Sequence, residues 1–217
     1  DPRDVLLSKK NYSLDTLPQN LTIGTSSIRR KTQIHNLRPD LNIKYIRGNI
    51  ETRIKKLETN QYDAIILALA GLKRLGLSYK NKNVLNTSKF IPAGGQGAIA
   101  VTTRKKDSII NKLIKKINNY KTEMEVKTER KFLEKINADC DSPVGAYAKI
   151  INSYVLFSVT VPSKNGMFVY KSRAKFNKSL IFGVSVAEIL KKKLGQNFLK
   201  ITKFSNKFTF LLTRSIK

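Results

Sequence analysis

A single cysteine, Cys140, lies in the stretch of this sequence whose residues point most clearly to chemistry. The stretch covers 136–145, reads INADCDSPVG, and lies between a predicted helix and a predicted strand. A thiol on such a connection is held on both sides and can still be reached, so it can carry a covalently attached group. The alternative is a buried cysteine that packs as a small apolar side chain. Asp139 and Asp141 flank Cys140, and because neighbouring anions disfavour a thiolate, a protease-like nucleophile is not expected.

The arginines point to a second kind of chemistry, the binding of anions. The chain has 42 Lys and Arg against 15 Asp and Glu, which gives a formal net charge of +27. Most of the basic residues are lysines spread over the whole length, whereas seven of the 11 arginines fall within the first 74 residues. A planar guanidinium binds a carboxylate through two hydrogen bonds, which lysine cannot do. The N-terminal part is therefore predicted to hold a site for a polyanion.

Several other classes of site lack support. The only histidine, His35, falls inside a predicted helix and is interpreted as a surface residue, so a His-based triad or a metal site is not expected. A single cysteine excludes an intramolecular disulfide and fits a reducing compartment. No run approaches the ~18 apolar residues of a membrane span, and no glycine motif for nucleotides is present. The start at Asp1 without a methionine indicates a processed or truncated chain.

Alternating strands and helices must position the arginines. Residues 1–20 are predicted to be irregular at first, with turn signals such as Pro18. Beyond them, strands are predicted at 21–24, 42–46 and 64–68, and helices at 28–37, 50–59 and 71–75. This order is typical of an α/β layer with a parallel sheet, in which ligands bind beyond the carboxyl ends of the strands.

Polar and cationic residues fall at each of those strand ends. Any one of these arginines could simply belong to a solvated helix start, but three successive strand ends indicate a shared site. The amides at helix N-termini add to anion binding at the same place. The three groups are Thr25, Ser26 and Ser27 with Arg29 and Arg30; Arg47 with Arg53; and Arg74.

The second half of the chain follows a different pattern. Residues 91–97 contain three glycines and a proline, which favour a hinge or a crossing between domains. A strand at 98–103 and an amphipathic helix at 107–117 are predicted next. A capping box of Thr122 and Glu125 predicts a helix from there to about 138. Strands at 146–151, 154–161 and 168–174, a helix at 185–194 and a last strand near 208–213 predict a small α+β domain with an antiparallel sheet.

Five blocks of sequence, in order and with matching spacing, resemble the porphobilinogen deaminase (hydroxymethylbilane synthase) family. They are residues 24–30, 46–53, 62–76 and 92–98, and 129–133 with 139–145. The resemblance covers the chain from Asp1 to about Ile151. Each block is weak to moderate alone, and together they are highly specific.

The resemblance implies a transferase of haem and chlorophyll biosynthesis. Its dipyrromethane cofactor is joined by a thioether to the cysteine that matches Cys140. Four porphobilinogens condense head to tail with release of ammonia, and hydrolysis frees 1-hydroxymethylbilane. Every pyrrole carries an acetate and a propionate, which arginines can position through charge-assisted bonds. The implied cofactor-binding residues are Thr25, Ser26, Ser27, Arg29, Arg30, Arg47, Gly48 and Arg53, and the implied substrate-binding residues are Arg29, Arg53 and Arg74.

The resemblance also implies three domains, of which this chain holds the last two. Residues 1–96 match a second domain, similar to periplasmic binding proteins. Residues 97–118 match a return segment of the first domain, and residues 119–217 match a third, α+β domain with helices on one face of its sheet. The family's catalytic aspartate precedes the part matched here, so the chain alone is expected to be inactive. The expected partners are porphobilinogen, the growing polypyrrole and the missing domain, in an otherwise monomeric protein of the cytoplasm or plastid stroma.

Two alternative functions are compatible with parts of the sequence. A two-domain receptor for small anions would suit the sheet and the glycine hinge, and it predicts an unmodified Cys140. A basic nucleic-acid-binding protein would suit the charge, but dispersed lysines and the lack of interleaved aromatic residues argue against it. Neither nucleic acid nor membrane is therefore an expected partner.

Overall fold

A computed structural model describes residues 1–200, which form two β-sheets with helices packed against them. The first sheet has five strands in the order β3-β2-β4-β1-β5. The strands are β1 (Asp4–Ser8), β2 (Thr22–Gly24), β3 (Asn42–Lys44), β4 (Ala64–Ala68) and β5 (Lys82–Val84). The helices α1 (Ile28–Leu37), α2 (Ile50–Glu58) and α3 (Leu69–Arg74) connect them. The predicted order of strands and helices between 21 and 75 is confirmed.

The prediction of an irregular start and a wholly parallel sheet is wrong. β1 lies between β4 and β5 and is antiparallel to both, whereas β2 is parallel to β3 and β4. The run Val5, Leu6 and Leu7 is completely buried because the first sheet has apolar residues on both faces. β1 and β5 are short, and their positions depend on pairing with distant strands. The consequence for the site is that β1 places Asp4 inside the protein.

The second sheet is antiparallel, in the order β6-β7-β8, as predicted. Its strands are β6 (Gly145–Ile151), β7 (Tyr154–Ser163) and β8 (Gly166–Lys175). Helices α5 (Tyr120–Lys135) and α6 (Ser179–Leu194) pack on one face, where Phe132 and Val186 join the core with Val155 and Phe157. The other face of the sheet is not covered by these helices.

Three predicted boundaries in this half are wrong. The N-cap of α5 is Asn119, whose side chain accepts a hydrogen bond from the Thr122 amide, so the predicted Thr122 capping box lies one turn too late. This helix ends at Lys135 rather than near 138, and α6 begins at Ser179 rather than 185. The predicted strand near 208–213 lies outside the described residues.

Residues 98–117 make little contact with the rest of the described chain. The strand predicted at 98–103 is not formed, because this segment pairs with no other strand of residues 1–200. The helix α4 (Ser108–Lys115) is confirmed, but none of its residues is buried. Large apolar side chains are open to solvent here: Ile99 is 81% exposed and Ile109 and Ile117 are each 74% exposed. No helix within residues 1–200 is long and apolar enough to cross a membrane.

Candidate functional site

A buried aspartate, Asp4, binds the first two arginines of the predicted site. Arg29 Nη1 lies 2.8 Å from Asp4 Oδ2, and Arg30 Nε lies 2.9 Å from Asp4 Oδ1. A second nitrogen of Arg30, Nη2, lies 2.8 Å from Asp4 Oδ1. Asp4 is completely buried, and Arg29 and Arg30 are only 4% and 8% exposed. Because a buried charge is costly unless it is paired, the three side chains depend on one another.

The local fold explains how the three residues meet. Arg29 and Arg30 lie in the first turn of α1, which begins just after β2, and Asp4 is the first residue of β1. Burial lowers the pKa of the Arg30 guanidinium, the attraction of Asp4 opposes this change, and repulsion from Arg29 adds to it. Arg30 Nη1 also donates to the backbone carbonyl of Ile66 in β4. The pair of arginines thus ties α1 to two strands of the first sheet.

Arg29 also holds the glycine-rich segment 91–97. Its Nη1 donates to the Ile91 carbonyl at 2.8 Å, and its Nη2 donates to Gln96 Oε1 at 3.3 Å. Gln96 Nε2 donates in turn to Asp4 Oδ1 at 3.0 Å. Gln33 of α1 bonds both the amide and the carbonyl of Ile91. The predicted hinge is therefore fixed to α1 and β1 by buried and partly buried hydrogen bonds.

The second predicted arginine group is more open. Arg53 in α2 is half-buried; its Nη1 donates to Ser26 Oγ at 3.0 Å and its Nε to the Gly48 carbonyl at 2.7 Å. Gly48 has φ +117°, and a Cβ there would lie 2.6 Å from a methyl carbon of Thr52, so only glycine suits this turn. Arg53 thereby joins the turns that follow β2 and β3.

Thr25 and Ser27 serve mainly to shape the turn before α1. Ser27 is the N-cap of α1, and its hydroxyl accepts from the Arg30 amide. Thr25 Oγ1 accepts from the Ser27 amide at 3.2 Å, and the Thr25 side chain is buried. These hydroxyls have partners within the protein, and any contact with a ligand remains a prediction.

Arg47 and Arg74 are the predicted arginines that remain accessible. Both are exposed. The Arg47 guanidinium lies 5.6 Å from the ring centroid of Tyr45. Arg74 ends α3, and its guanidinium makes no hydrogen bond or ion pair with any side chain described here. These two cations can take an anionic ligand without first releasing an internal partner.

Cys140 is exposed on a tight turn between α5 and β6, so the alternative of a buried apolar cysteine is wrong. The turn is closed by Ser142, whose hydroxyl donates to Asp139 Oδ1 at 2.7 Å and accepts from the Asp139 amide at 2.9 Å. The hydrogen bond from Ser142 is the main reason why the pKa of Asp139 is below its usual value. The thiol is thus accessible on a connection that its neighbours hold in place.

The strand after Cys140 abuts the segment that holds Arg29. The Ala146 amide of β6 donates to the Pro92 carbonyl at 2.9 Å. Gly145 lies so close to this segment that a Cβ would be 2.7 Å from the Ile91 carbonyl oxygen, which Arg29 also binds. The contacts of Ile91 therefore link the arginines of the first sheet to the Cys140 turn of the second.

Glu129 of α5 provides a second link between the two parts. Its carboxylate accepts from the Gly95 amide at 2.6 Å and from the Ala148 amide of β6 at 2.8 Å. Burial raises the pKa of Glu129 to about 7, against the opposing effect of these two hydrogen bonds. Residues 129–133 were part of the family resemblance, but the role of this carboxylate was not predicted.

Sequence reasoning missed Asp4, Gln33 and Gln96 as members of the arginine network. The apolar run after Asp4 was the available signal, because a buried strand beginning at Asp4 would have required a partner for its carboxylate. No group of three potential metal-ligating side chains occurs in the part of the chain that the structure describes.

Fold and site together define a two-part protein of mixed α/β and antiparallel α+β architecture, with an arginine network and an exposed thiol joined through one segment. The chain belongs to the porphobilinogen deaminase family. The family model described as "Porphobilinogen deaminase, dipyromethane cofactor binding domain" matches residues 1–112, and the model of the "Porphobilinogen deaminase, C-terminal domain" matches residues 123–192. The resemblance inferred from the five sequence blocks is confirmed.

Relatives named porphobilinogen deaminase include proteins of Nitrobacter winogradskyi, Brevibacillus brevis and Rickettsia prowazekii. The first is 38% identical over 200 residues, which are 91% of this chain and 63% of the relative. The second is 42% identical over 191 residues, 88% of this chain and 62% of the relative. The third is 48% identical over 155 residues, 71% of this chain and 52% of the relative. The chain thus spans between about half and three fifths of the length of these relatives.

Proposed function

We propose that this chain is the portion of a porphobilinogen deaminase that carries the dipyrromethane cofactor on Cys140. The observation that supports this most directly is the exposed thiol on a turn that is linked through Ile91 to a cluster of arginines. The residues fit the cofactor: the thiol is free to form a thioether, and the exposed Arg47 and Arg74 can meet carboxylates. When bound, the cofactor supplies the pyrrole terminus to which new units are added.

The reaction proposed for the complete protein is the head-to-tail condensation of four porphobilinogens to 1-hydroxymethylbilane, with release of ammonia. In this reaction, the role of this chain would be to hold the growing polycarboxylate product. Arg47 and Arg74 would bind carboxylates directly, since neither has an ionic partner to displace. Arg53 is oriented by Ser26 and Gly48, and a carboxylate could join this network through the remaining guanidinium nitrogen. Arg29 and Arg30 would contact the ligand at the boundary of their buried network. Thr25 and Ser27 would shape the adjacent turn.

The domain division proposed for the chain remains 1–96, 97–118 and 119–217, with a periplasmic-binding-protein-like arrangement of the first part. Residues 97–118 would dock on the missing first domain, which would also supply the catalytic aspartate. The exposed apolar side chains Ile99, Ile109 and Ile117 support this proposal, because burying them is favourable. The expected monomeric state of the complete protein and its compartment, cytoplasm or plastid stroma, belong to the same proposal.

The cofactor assignment is tested by the intact mass of the chain expressed with a first domain from a relative, followed by peptide mapping. Two porphobilinogens joined to the thiol with loss of two ammonias should appear on the peptide that contains Cys140. The Cys140→Ser variant should keep its fold and lack this mass. A bare thiol in the assembled protein, with reversible binding of small anions, would instead favour the receptor alternative.

The docking proposal is tested by hydrogen exchange of residues 98–117. These amides should exchange fast in the chain alone and slow down when the first domain is added. The double change Ile109→Ser and Ile117→Ser should abolish this slowing without changing the unfolding of the chain. Full protection of this segment in the isolated chain would contradict the proposal.

A further inference from the structure

The face of the second sheet opposite α5 and α6, here called the outer face, is exposed and strongly cationic. Residues alternate along each strand: Val155, Phe157 and Val159 of β7 point into the core, whereas Tyr154 and Leu156 are 41% and 39% exposed. The same alternation leaves Lys149 of β6 and Lys171, Arg173 and Lys175 of β8 exposed, with Lys171 Nζ also donating to the Ser88 carbonyl at 3.0 Å. The three strands contain no Asp or Glu, so no anion of the sheet balances these four cations.

The strand register gathers these cations around apolar and aromatic side chains. Lys149 and Arg173 lie opposite Leu156 from either side, and Lys175 lies opposite Tyr154. Lys171, Arg173 and Lys175 recur at every second position of β8, so their Cα atoms are about 7 Å apart along the strand. This spacing is comparable with that of successive phosphates along an extended nucleic-acid strand.

Tyr154 adds a surface on which a base can stack. The Arg173 guanidinium lies 5.4 Å from its ring centroid, so the ring is already in a cation–π arrangement and open on its exposed side. Stacking on aromatic rings, together with cations that follow the phosphate backbone, is how proteins bind single strands without strong sequence preference. A flat sheet face also suits a single strand better than a duplex, whose base edges lie inside a groove.

We propose that the outer face of the second sheet binds single-stranded nucleic acid. The site is separate from the arginine network of the first sheet and does not depend on the proposed enzyme activity. The expectation that no nucleic acid is a partner rested on dispersed lysines and missing aromatic residues. The register removes that objection, because it brings cations and tyrosine from three strands onto one face.

A charge-matched pair of variants distinguishes this face from the general charge of the protein. Binding of a fluorescein-labelled 12-nucleotide oligothymidylate is measured by anisotropy at several salt concentrations, with the full 217-residue chain. The outer-face variant K171Q/R173Q/K175Q should bind about tenfold or more weakly and lower the slope of log K against log salt by about 2, since each phosphate contact on a single strand contributes ~0.7.

The control variant K10Q/K55Q/K80Q removes the same charge from exposed lysines of the first part of the chain. It should bind within about twofold of the unmodified chain, because long-range charge alone contributes little at physiological salt. Circular dichroism of both variants checks that the fold is retained. Equal losses in the two variants would overturn the proposal, since they would show binding by net charge alone.

Stacking is tested with a tryptophan reporter, because the chain contains no tryptophan. In Tyr154→Trp, addition of unlabelled oligothymidylate should quench the fluorescence. The control Tyr45→Trp places the reporter at another exposed tyrosine that also has an arginine beside it, Arg47, but lies outside the outer face. Quenching at position 45 and none at 154 would overturn the proposal.

Two further probes distinguish nucleic acid from other polyanions that could bind to this face. Vesicles of phosphatidylserine and phosphatidylcholine represent an anionic membrane, and a polyglutamate peptide represents an acidic protein segment. The oligothymidylate should displace polyglutamate, and vesicles should not co-sediment the chain at physiological salt. A change in the fluorescence of Tyr154→Trp with vesicles or polyglutamate, and none with the oligothymidylate, would overturn the proposal by showing that the face recognises a different partner.

Discussion

Arg29 Nη1 and Asp4 Oδ2 are 2.8 Å apart, and both side chains are almost completely buried. Arg29 was predicted as a residue that binds the carboxylates of cofactor and substrate. In the structure its guanidinium already serves an internal carboxylate, the Ile91 carbonyl and Gln96. A residue in this position determines where the first sheet, α1 and the segment before the Cys140 domain meet. Its influence on the proposed polypyrrole ligand therefore includes the positioning of neighbouring groups.

Removing the charge of Asp4 should destabilise the chain strongly. In Asp4→Asn, Arg29 and Arg30 stay buried without a compensating anion, and breaking a buried ion pair from one side typically costs about 3–5 kcal/mol. The free energy of unfolding in urea measures this loss. Asp40→Asn is the matched control, because Asp40 also makes two hydrogen bonds to one arginine, Arg38, but at a much more exposed position. Similar losses in both variants would show that Asp4 is not a buried structural anion.

Glu129 should make stability depend on pH near neutrality. Its pKa is about 7 in the folded chain, above the 4.5 of an ordinary glutamate, so the folded state binds its proton more tightly than the unfolded state. The contribution of Glu129 to the free energy of unfolding is therefore fully present below pH 4.5 and is lost as the pH rises to about 7. The difference between a pKa of 4.5 in the unfolded chain and about 7 in the folded chain corresponds to about 3 kcal/mol in the free energy of unfolding.

Urea unfolding of Glu129→Gln from pH 4 to 8 tests this contribution. The variant should lack the decline that the unmodified chain shows between pH 4.5 and 7. Glu125→Gln is the control, because Glu125 lies one turn earlier on α5 and binds the next free amide of β6, that of Ile150. If the decline persists in Glu129→Gln, another group is responsible for it.

The Cys140 thiol should react readily in the folded protein. Because the side chain is exposed on a turn, carbamidomethylation by iodoacetamide should proceed in buffer within about tenfold of its rate in denaturant. Mass spectrometry of the peptide that contains Cys140 measures both rates. A reaction many times slower in buffer would mean that the turn shields the thiol in solution.

Local patterns were sufficient to predict much of the fold. Apolar runs and period-two alternation predicted β4 and β6–β8, and turn and cap signals predicted α1 and α2. β1 could not be placed in the same way, because its antiparallel position between β4 and β5 is decided by pairing with residues about 60 to 80 positions away. The strand predicted at 98–103 fits the alternation of a strand but finds no partner among the described residues.

The sequence indicated the residue types of the candidate site, but it did not indicate the hydrogen bonds among them. Strand-end arginines are visible in sequence, and so is a lone cysteine on a connection. The choice of Asp4 as partner of Arg29 and Arg30 is not, because it follows from the packing of α1 against a strand that was not predicted. Glu129 likewise gains its raised pKa from burial, which no spacing in the sequence reveals.

The contrast between buried and exposed arginines leads to a last prediction, on Arg29 and Arg74. Arg29→Gln should lower the free energy of unfolding by several kcal/mol, roughly 3–5, because Asp4 loses one of its two arginine partners and the Ile91 carbonyl loses a donor. Arg74→Gln should change it by less than about 0.5 kcal/mol, since the side chain is exposed and unpaired within residues 1–199. Urea unfolding of the two variants measures this difference.

The two substitutions should also differ in the step of the proposed reaction that they impair, cofactor loading or elongation. In the protein assembled with a first domain, Arg74→Gln should load the cofactor on Cys140 and then stall during elongation, because a cation proposed to bind substrate carboxylates is lost while the fold is kept. Arg29→Gln should fail at loading, in proportion to its loss of folded protein. Intact mass after brief exposure to porphobilinogen reports both steps, because each added pyrrole increases the mass by one unit of the polymer. Normal elongation in Arg74→Gln would remove Arg74 from the site, whereas a stable Arg29→Gln that loads normally would contradict the positioning role of the Asp4 network.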